Sequence, residues 1–178
     1  MKVVVSEYDP KWPMLFAMEA DWLQEVFGDE LLQIHHIGST SVPGLKAKPI
    51  IDIMPVVRNI LRVDDLIQGM DALGYQSMGE FGIPGRRYFR KGKEERTHHV
   101  HVFQADSKDV QRHLAFRDFM RAHPDEAARY GELKATLAKQ FPDSIESYMD
   151  GKDDYIKRVE KQALEWYRQG ANGKTWNV

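Results

Sequence analysis

The sequence contains no cysteine. That absence excludes a disulfide framework and any thiolate-held metal, leaving His, Asp and Glu as the side chains able to hold a cation. It also lacks a run of about 18 consecutive apolar residues, so no segment reads as a membrane-spanning helix. The opening stretch, Met1 to Trp12, has only the short apolar run Val3 to Val5 and no small-residue cleavage pattern. It does not read as a secretory leader, and a cytoplasmic location is the expectation. Charge of one sign is scarce as well: 25 Lys and Arg face 27 Asp and Glu, a formal net charge of -2. The whole-molecule field therefore offers no strong attraction to nucleic acid or to a membrane surface, and any basic site must be local.

What is present is the composition of a globular protein, 42% hydrophobic and 29% charged in 178 residues, enough to fill one core. One domain over residues 1–178 is expected: a sheet-containing core over 1–105, helices over 106–170, and a polar tail over 171–178 that frays. Asp9-Pro10 predicts a helix start, and Trp12, Leu15, Phe16, Trp22, Leu23, Val26 and Phe27 give the apolar stripe of that helix, closed near Gly28. Leu31 to Ile37 and Pro49 to Val57 predict buried strands on either side of a Gly/Ser/Pro-rich loop. Val63 to Leu73 fits helical spacing, and Gly79 to Gly85 reads as an irregular loop. Arg86 to Lys91 and Thr97 to Phe103 predict a hairpin turning about Lys93-Glu94. Ser107, Pro124 and the run Tyr155 to Trp166 then mark three helices, with Pro142 stopping the second. Strands first and helices after predict an α/β (α+β) fold, a sheet followed by a C-terminal helical layer.

The chemistry concentrates in two stretches. In His36-Ile37-Gly38-Ser39-Thr40-Ser41-Val42-Pro43-Gly44, a strand that stops at Gly38-Ser39 turns backbone N–H groups and a hydroxyl outward, a form suited to phosphate oxygens. The loop runs through Lys46 and Lys48 into the next strand, which carries Asp52 among apolar residues. An unpaired carboxylate facing a core costs roughly 2 to 7 kcal/mol, so Asp52 needs a cation or donors. Capping a helix or pairing with Lys46 or Lys48 would answer that need, and so would a metal. Thr97-His98-His99-Val100-His101-Val102-Phe103 alternates, projecting His99 and His101 from one face. Two such imidazoles form either a hydrogen-bonded pair or, with Asp52, a set of two histidines and one carboxylate for a divalent metal. With the hairpin centred on Lys93-Glu94, Tyr88 lies opposite His99 and Arg86 opposite His101, and a one-residue slip exchanges Arg86 for Arg87. Either guanidinium suits a triphosphate, and an Arg-Arg strand end also serves as a solvated edge device. His113 and His123, isolated on helices, receive no role.

These segments resemble the GrpB-like proteins, a branch of the nucleotidyltransferase superfamily whose domain also occurs fused to dephospho-coenzyme A kinases. The likeness runs nearly end to end, from Tyr8-Asp9-Pro10-Lys11-Trp12-Pro13 through His36 to Leu45, Lys48-Pro49-Ile50-Ile51-Asp52-Ile53 and Thr97 to Phe103. It continues through Phe116-Arg117-Asp118, Arg121-Ala122-His123-Pro124 and Trp166-Tyr167. The resemblance implies a mixed sheet flanked by helices and a nucleotide or other phosphate-bearing small molecule as ligand. It implies Asp52 and His101 as catalytic residues, a divalent metal (Mg, Mn or Zn) on Asp52, His99 and His101, and Gly38, Ser39, Lys48, Arg86 and Arg87 around the phosphates. The superfamily's second acid is replaced by Met54, and His101 stands at the place of the third. Fewer carboxylates and more imidazoles shift such a site from Mg²⁺ toward Mn²⁺ or Zn²⁺. A binding module that holds a nucleotide or coenzyme A-related ligand without turnover is the alternative implication.

Overall fold

In the computed structural model, which describes residues 2–170, the chain forms helix α1 (Trp12–Phe27), strands β1 (Leu31–Ile37) and β2 (Ile51–Val57), and helix α2 (Ile67–Ala72). Strands β3 (Tyr75–Ser77), β4 (Arg87–Lys91) and β5 (His98–Gln104) follow, then helices α3 (Lys108–Ala122), α4 (Pro124–Gln140) and α5 (Ile145–Gly170). The predicted tail over 171–178 lies outside the described residues. The sheet is mixed, in the order β1-β2-β5-β4-β3. Strand β2 runs antiparallel to β1 and parallel to β5, while β4 runs antiparallel to both of its neighbours. The class is α+β, as expected.

By packing, the chain groups into two compact units. One comprises the described residues up to 10, residues 38–49 and those from 111 onward; the other comprises 11–37 and 50–110 and contains the sheet. In the sheet unit, α1 packs against β1 and β2, and α2 against β3. Leu23, Ile53, Val57, Met70, Val100 and Val102 are fully buried there. The alternation of β2 places Ile53 and Val57 on one face and Asp52, Met54 and Val56 on the other. A buried polar cluster sits on the Ile53 face. Glu19 of α1 accepts hydrogen bonds from the Tyr75 hydroxyl at 2.8 Å and from Lys91 Nζ at 2.5 Å, with His98 Nε2 3.8 Å away. In the other unit, α4 packs on α5, and Val3, Leu137 and Tyr148 form a buried cluster. Gly131 lies against Leu45 and Lys46, while Gly151 faces Leu137 so closely that a Cβ would collide with it.

Several boundaries differ from the sequence expectation. Helix α1 starts two residues later than Asp9-Pro10 suggests: Lys11 takes the cap position and Pro13 sits in the first turn, where a missing N–H costs nothing. The helix expected over Val63 to Leu73 is α-helical only from Ile67; residues 60–66 form 3₁₀ turns capped by the Asn59 side chain. Strand β3 was not expected; three residues at a sheet edge are too short to show alternation. Helix α5 begins ten residues before Tyr155, with Ser144 Oγ accepting from Ser147 N at 3.2 Å. The charged residues and Gly151 of its first turns hide the apolar period. The hairpin also has a different register, with Tyr88 opposite His101 and Arg90 opposite His99. Its centre lies between Glu94 and Glu95, where Gly92 at φ 88 opens a longer loop that a Cβ would block against the Glu95 carbonyl. Each partner moves by two, so every side chain keeps its expected face.

Candidate metal centre

Asp52 lies on β2 in direct register with His99 of β5, and the two residues share a face of the sheet. His101, two residues on, returns to that face. The result is a cluster in which Asp52 Oδ1 is 3.1 Å from His101 Nε2 and 3.5 Å from His99 Nδ1. One ligand atom from each of the three residues lies within 4.8 Å of the others. Tyr88, directly across from His101 on β4, forms an aromatic wall with its ring 5.2 Å from His101 and 5.6 Å from His99. Burial, and then the nearby Asp52 charge, push its phenol up to about 12, so it stays a neutral hydroxyl.

The electrostatics give Asp52 and His101 different charge states. Burial alone would raise the Asp52 carboxyl, but the hydrogen bonds from His101 and His99 outweigh it and hold the group well below the usual carboxylate range. Burial pushes the His101 imidazole below its ordinary value; the hydrogen bond to Asp52 opposes this, and the Arg86 cation adds to the lowering. An ionised carboxylate beside a neutral imidazole is the form in which both can act as metal ligands.

Arg86 completes the cluster. Its Nη1 is 3.3 Å from His101 Nδ1, its Nε donates to the Glu80 carbonyl at 3.2 Å, and its Nη2 donates to the Phe81 carbonyl at 2.9 Å. The guanidinium also stands over the Tyr88 ring, 4.6 Å from its centroid. Arg87 faces the other way: its Nε and Nη2 bind the carboxylate of Asp64 at 2.7 and 3.3 Å. Of the two arginines, Arg86 therefore lies on the histidine face.

The structure thus brings together Asp52, His99, His101 and Arg86, and sets Arg87 apart. Gly38, Ser39 and Lys48 belong to the other unit. There Gly38 adopts φ 73 with ψ -173, a conformation that favours glycine. A single 3₁₀ turn follows at Ser39–Ser41, with Val42 N donating to the Ser39 carbonyl at 3.1 Å. Lys48 Nζ lies 5.4 Å from the centroid of the Tyr148 ring, and Lys46 pairs with Glu132 at 2.7 Å. His123 stacks on Phe119 at 4.1 Å with its Nδ1 2.7 Å from the Phe119 carbonyl, a packing arrangement consistent with the absence of any assigned role. Sequence reasoning placed Tyr88 on the histidine face without recognising it as a wall. It also missed the grip of Arg86 on residues 80 and 81.

The family model described as GrpB protein matches residues 2–162. The chain belongs to the GrpB family. The UPF0157 protein YqkA of Bacillus subtilis is 49% identical over 174 residues, covering 97% of this chain and 51% of that protein, so the chain spans about half of YqkA's length. A GrpB crystal structure from Enterococcus faecalis aligns with a TM-score of 0.90 and 50% identity, over 92% of this chain and 99% of that one. The Cid1 poly(U) polymerase, in an H336N mutant structure bound to MgATP, is a distant likeness, with a TM-score of 0.48 and 8% identity over 74% of this chain and 45% of that one. Among the described residues of this GrpB-family chain, no helix is long and apolar enough to cross a membrane.

Proposed function

We propose that this chain is a metal-dependent nucleotidyltransferase, acting on a nucleoside triphosphate and a hydroxyl acceptor. The observation that carries the reading is the convergence of Asp52, His99 and His101 on one face, with their ligand atoms within 4.8 Å of one another. The donor set fits a divalent cation: one carboxylate held ionised, and two imidazoles of which His101 is held neutral. With two nitrogens and one oxygen, the set suits Mn²⁺ or Zn²⁺ better than Mg²⁺. Such a cation supplies charge neutralisation and alignment for the phosphates. Transfer forms a bond between the acceptor oxygen and the α-phosphorus, breaks the bond to pyrophosphate, and releases the hydroxyl proton. Asp52 and His101 are the residues assigned to the reacting centre, and Arg86 supplies a guanidinium beside it. Gly38, Ser39 and Lys48 keep their proposed role as phosphate ligands.

The test is pyrophosphate release from labelled nucleoside triphosphates with candidate hydroxyl acceptors, with and without metal. Release is expected only with metal, and Asp52→Asn is expected to abolish it. Release unchanged in Asp52→Asn would end the reading.

One observation favours a second reading, a module that binds a nucleotide or coenzyme A-related ligand without turnover. Met54, fully buried, occupies the position where the superfamily carries a second acid. On this reading, a ligand at one hundred times its dissociation constant adds about 2.7 kcal/mol of stability while no pyrophosphate appears.

A further inference from the structure

The hydrogen bonds around His101 have a consequence for metal entry, resting on the proposed cation site. Arginine is always charged and offers only donors. Facing Arg86 Nη1 at 3.3 Å, His101 Nδ1 must therefore be the accepting nitrogen, and its hydrogen must sit on Nε2, pointing at Asp52 Oδ1 at 3.1 Å. That is the tautomer in which Nε2, the nitrogen aimed at the cluster, has no lone pair for a cation. To ligate, His101 must move its hydrogen to Nδ1, and two donors would then oppose each other across the Arg86 contact. Metal-bound imidazoles ordinarily donate their other N–H to an oxygen, and a guanidinium cannot accept it.

Arg86 is well seated in this position. It is 7% exposed, it donates to the carbonyls of Glu80 and Phe81, and it packs over Tyr88. The backbone it grips is unusual, since Phe81 holds φ 47, a left-handed conformation that is costly for an aromatic residue. Glu80 Oε2, next to it, accepts from Gly85 N at 2.6 Å, closing the loop on itself.

We propose that Arg86 is a positioning residue that holds His101 in the tautomer unable to bind a cation through Nε2, so that metal entry requires Arg86 to release His101. Its guanidinium is then freed for an anion, which makes metal and phosphate binding mutually favourable.

Cobalt(II) is the probe, titrated by its visible absorption into wild type, Arg86→Met and Arg90→Met. Arg90 pairs with His99 across the hairpin and does not touch His101 in register, so its removal reports the effect of losing one positive charge nearby. Arg86→Met is expected to bind cobalt about tenfold more tightly than wild type, and Arg90→Met to stay near wild type. Equal affinities in wild type and Arg86→Met, or equal gains in the two variants, overturn the proposal and leave the metal centre standing. No cobalt binding in any of the three overturns both. A second measurement needs no variant: long-range ¹H–¹⁵N correlation on the metal-free wild type is expected to show His101 protonated at Nε2 and bare at Nδ1. The opposite pattern overturns the assignment.

Discussion

Acid acts on both partners of the Asp52–His101 hydrogen bond, which is 3.1 Å long. The folded value of His101 lies below the ordinary 6.5, so between those two values the unfolded chain takes up a proton that the folded chain refuses. The stability this group contributes is present above about pH 6.5 and is lost as the pH falls below it. Asp52, lowered from 3.8, contributes stability above that value and loses it as the pH falls further. Denaturant titrations of metal-free protein are therefore expected to show stability falling from about pH 7 to 5, with the fall flattened in His101→Gln. An unchanged slope in that variant would contradict the neutral assignment. Met54, on the same face and with no exposed surface, allows a second test at this scale. Introducing an acid with Met54→Asp places a carboxylate in a sealed position and is expected to cost several kcal/mol, roughly 2 to 7, measured by denaturant unfolding without metal. A loss below about 1 kcal/mol would mean that the position already has donors for a carboxylate.

At the scale of elements, two packing features set expectations of opposite origin. The Glu19 carboxylate ties α1 to β3 and β4 through Tyr75 and Lys91. Burial opposes its ionisation, but the hydrogen bonds from Lys91 and Tyr75 reverse that and leave it below the ordinary 4.5. Its contribution is present above pH 4.5 and is lost as the pH falls below it. Glu19→Gln is expected to cost about 2 kcal/mol at neutral pH and much less near pH 3, as read by urea unfolding at both. Gly151 in α5 presents a competition between helix propensity and packing. Alanine would add about 1 kcal/mol of propensity, yet its Cβ would strike the buried Leu137 of α4, and overpacking costs about 1 to 3 kcal/mol. Packing is expected to win, so Gly151→Ala should lower the melting temperature; a rise would show that Leu137 yields freely.

The elements were legible in the sequence where periodicity was long. Strands β1 and β2, the hairpin and helices α3 and α4 followed from alternation and from Ser and Pro starts. The facing of His99 and His101 was legible because they stand two apart on a strand. The joining of Asp52 to them was one of two readings the residues left open, because parallel pairing between strands so far apart leaves no local mark. Arg86 could be separated from Arg87 only once the register was known, and its bonds to carbonyls 80 and 81 depend on an irregular loop whose path no period encodes.

For the whole molecule, near-balanced charge is expected to leave no salt-resistant affinity for nucleic acid, since non-specific binding depends on an excess of cations. Duplex retardation that persists at about 0.15 M salt would contradict that. The two packing units interleave along the chain, which passes from one to the other after residues 10, 37, 49 and 110. Neither unit is a contiguous piece, and we propose that residues 1–178 behave as one domain, unfolding in a single calorimetric transition whose van't Hoff and measured enthalpies agree. Two resolved transitions would refute it. The parallel pairing of β2 with β5 has a further consequence. The Asp52 carboxylate and the His99 imidazole are set side by side by main-chain pairing of adjacent strands, while residues 58–97, which bring Arg86 and Tyr88 to the histidines, are spliced in between. Substitutions at Arg86 or Tyr88 therefore change what borders the cluster while the β2–β5 pairing keeps carboxylate and imidazole together.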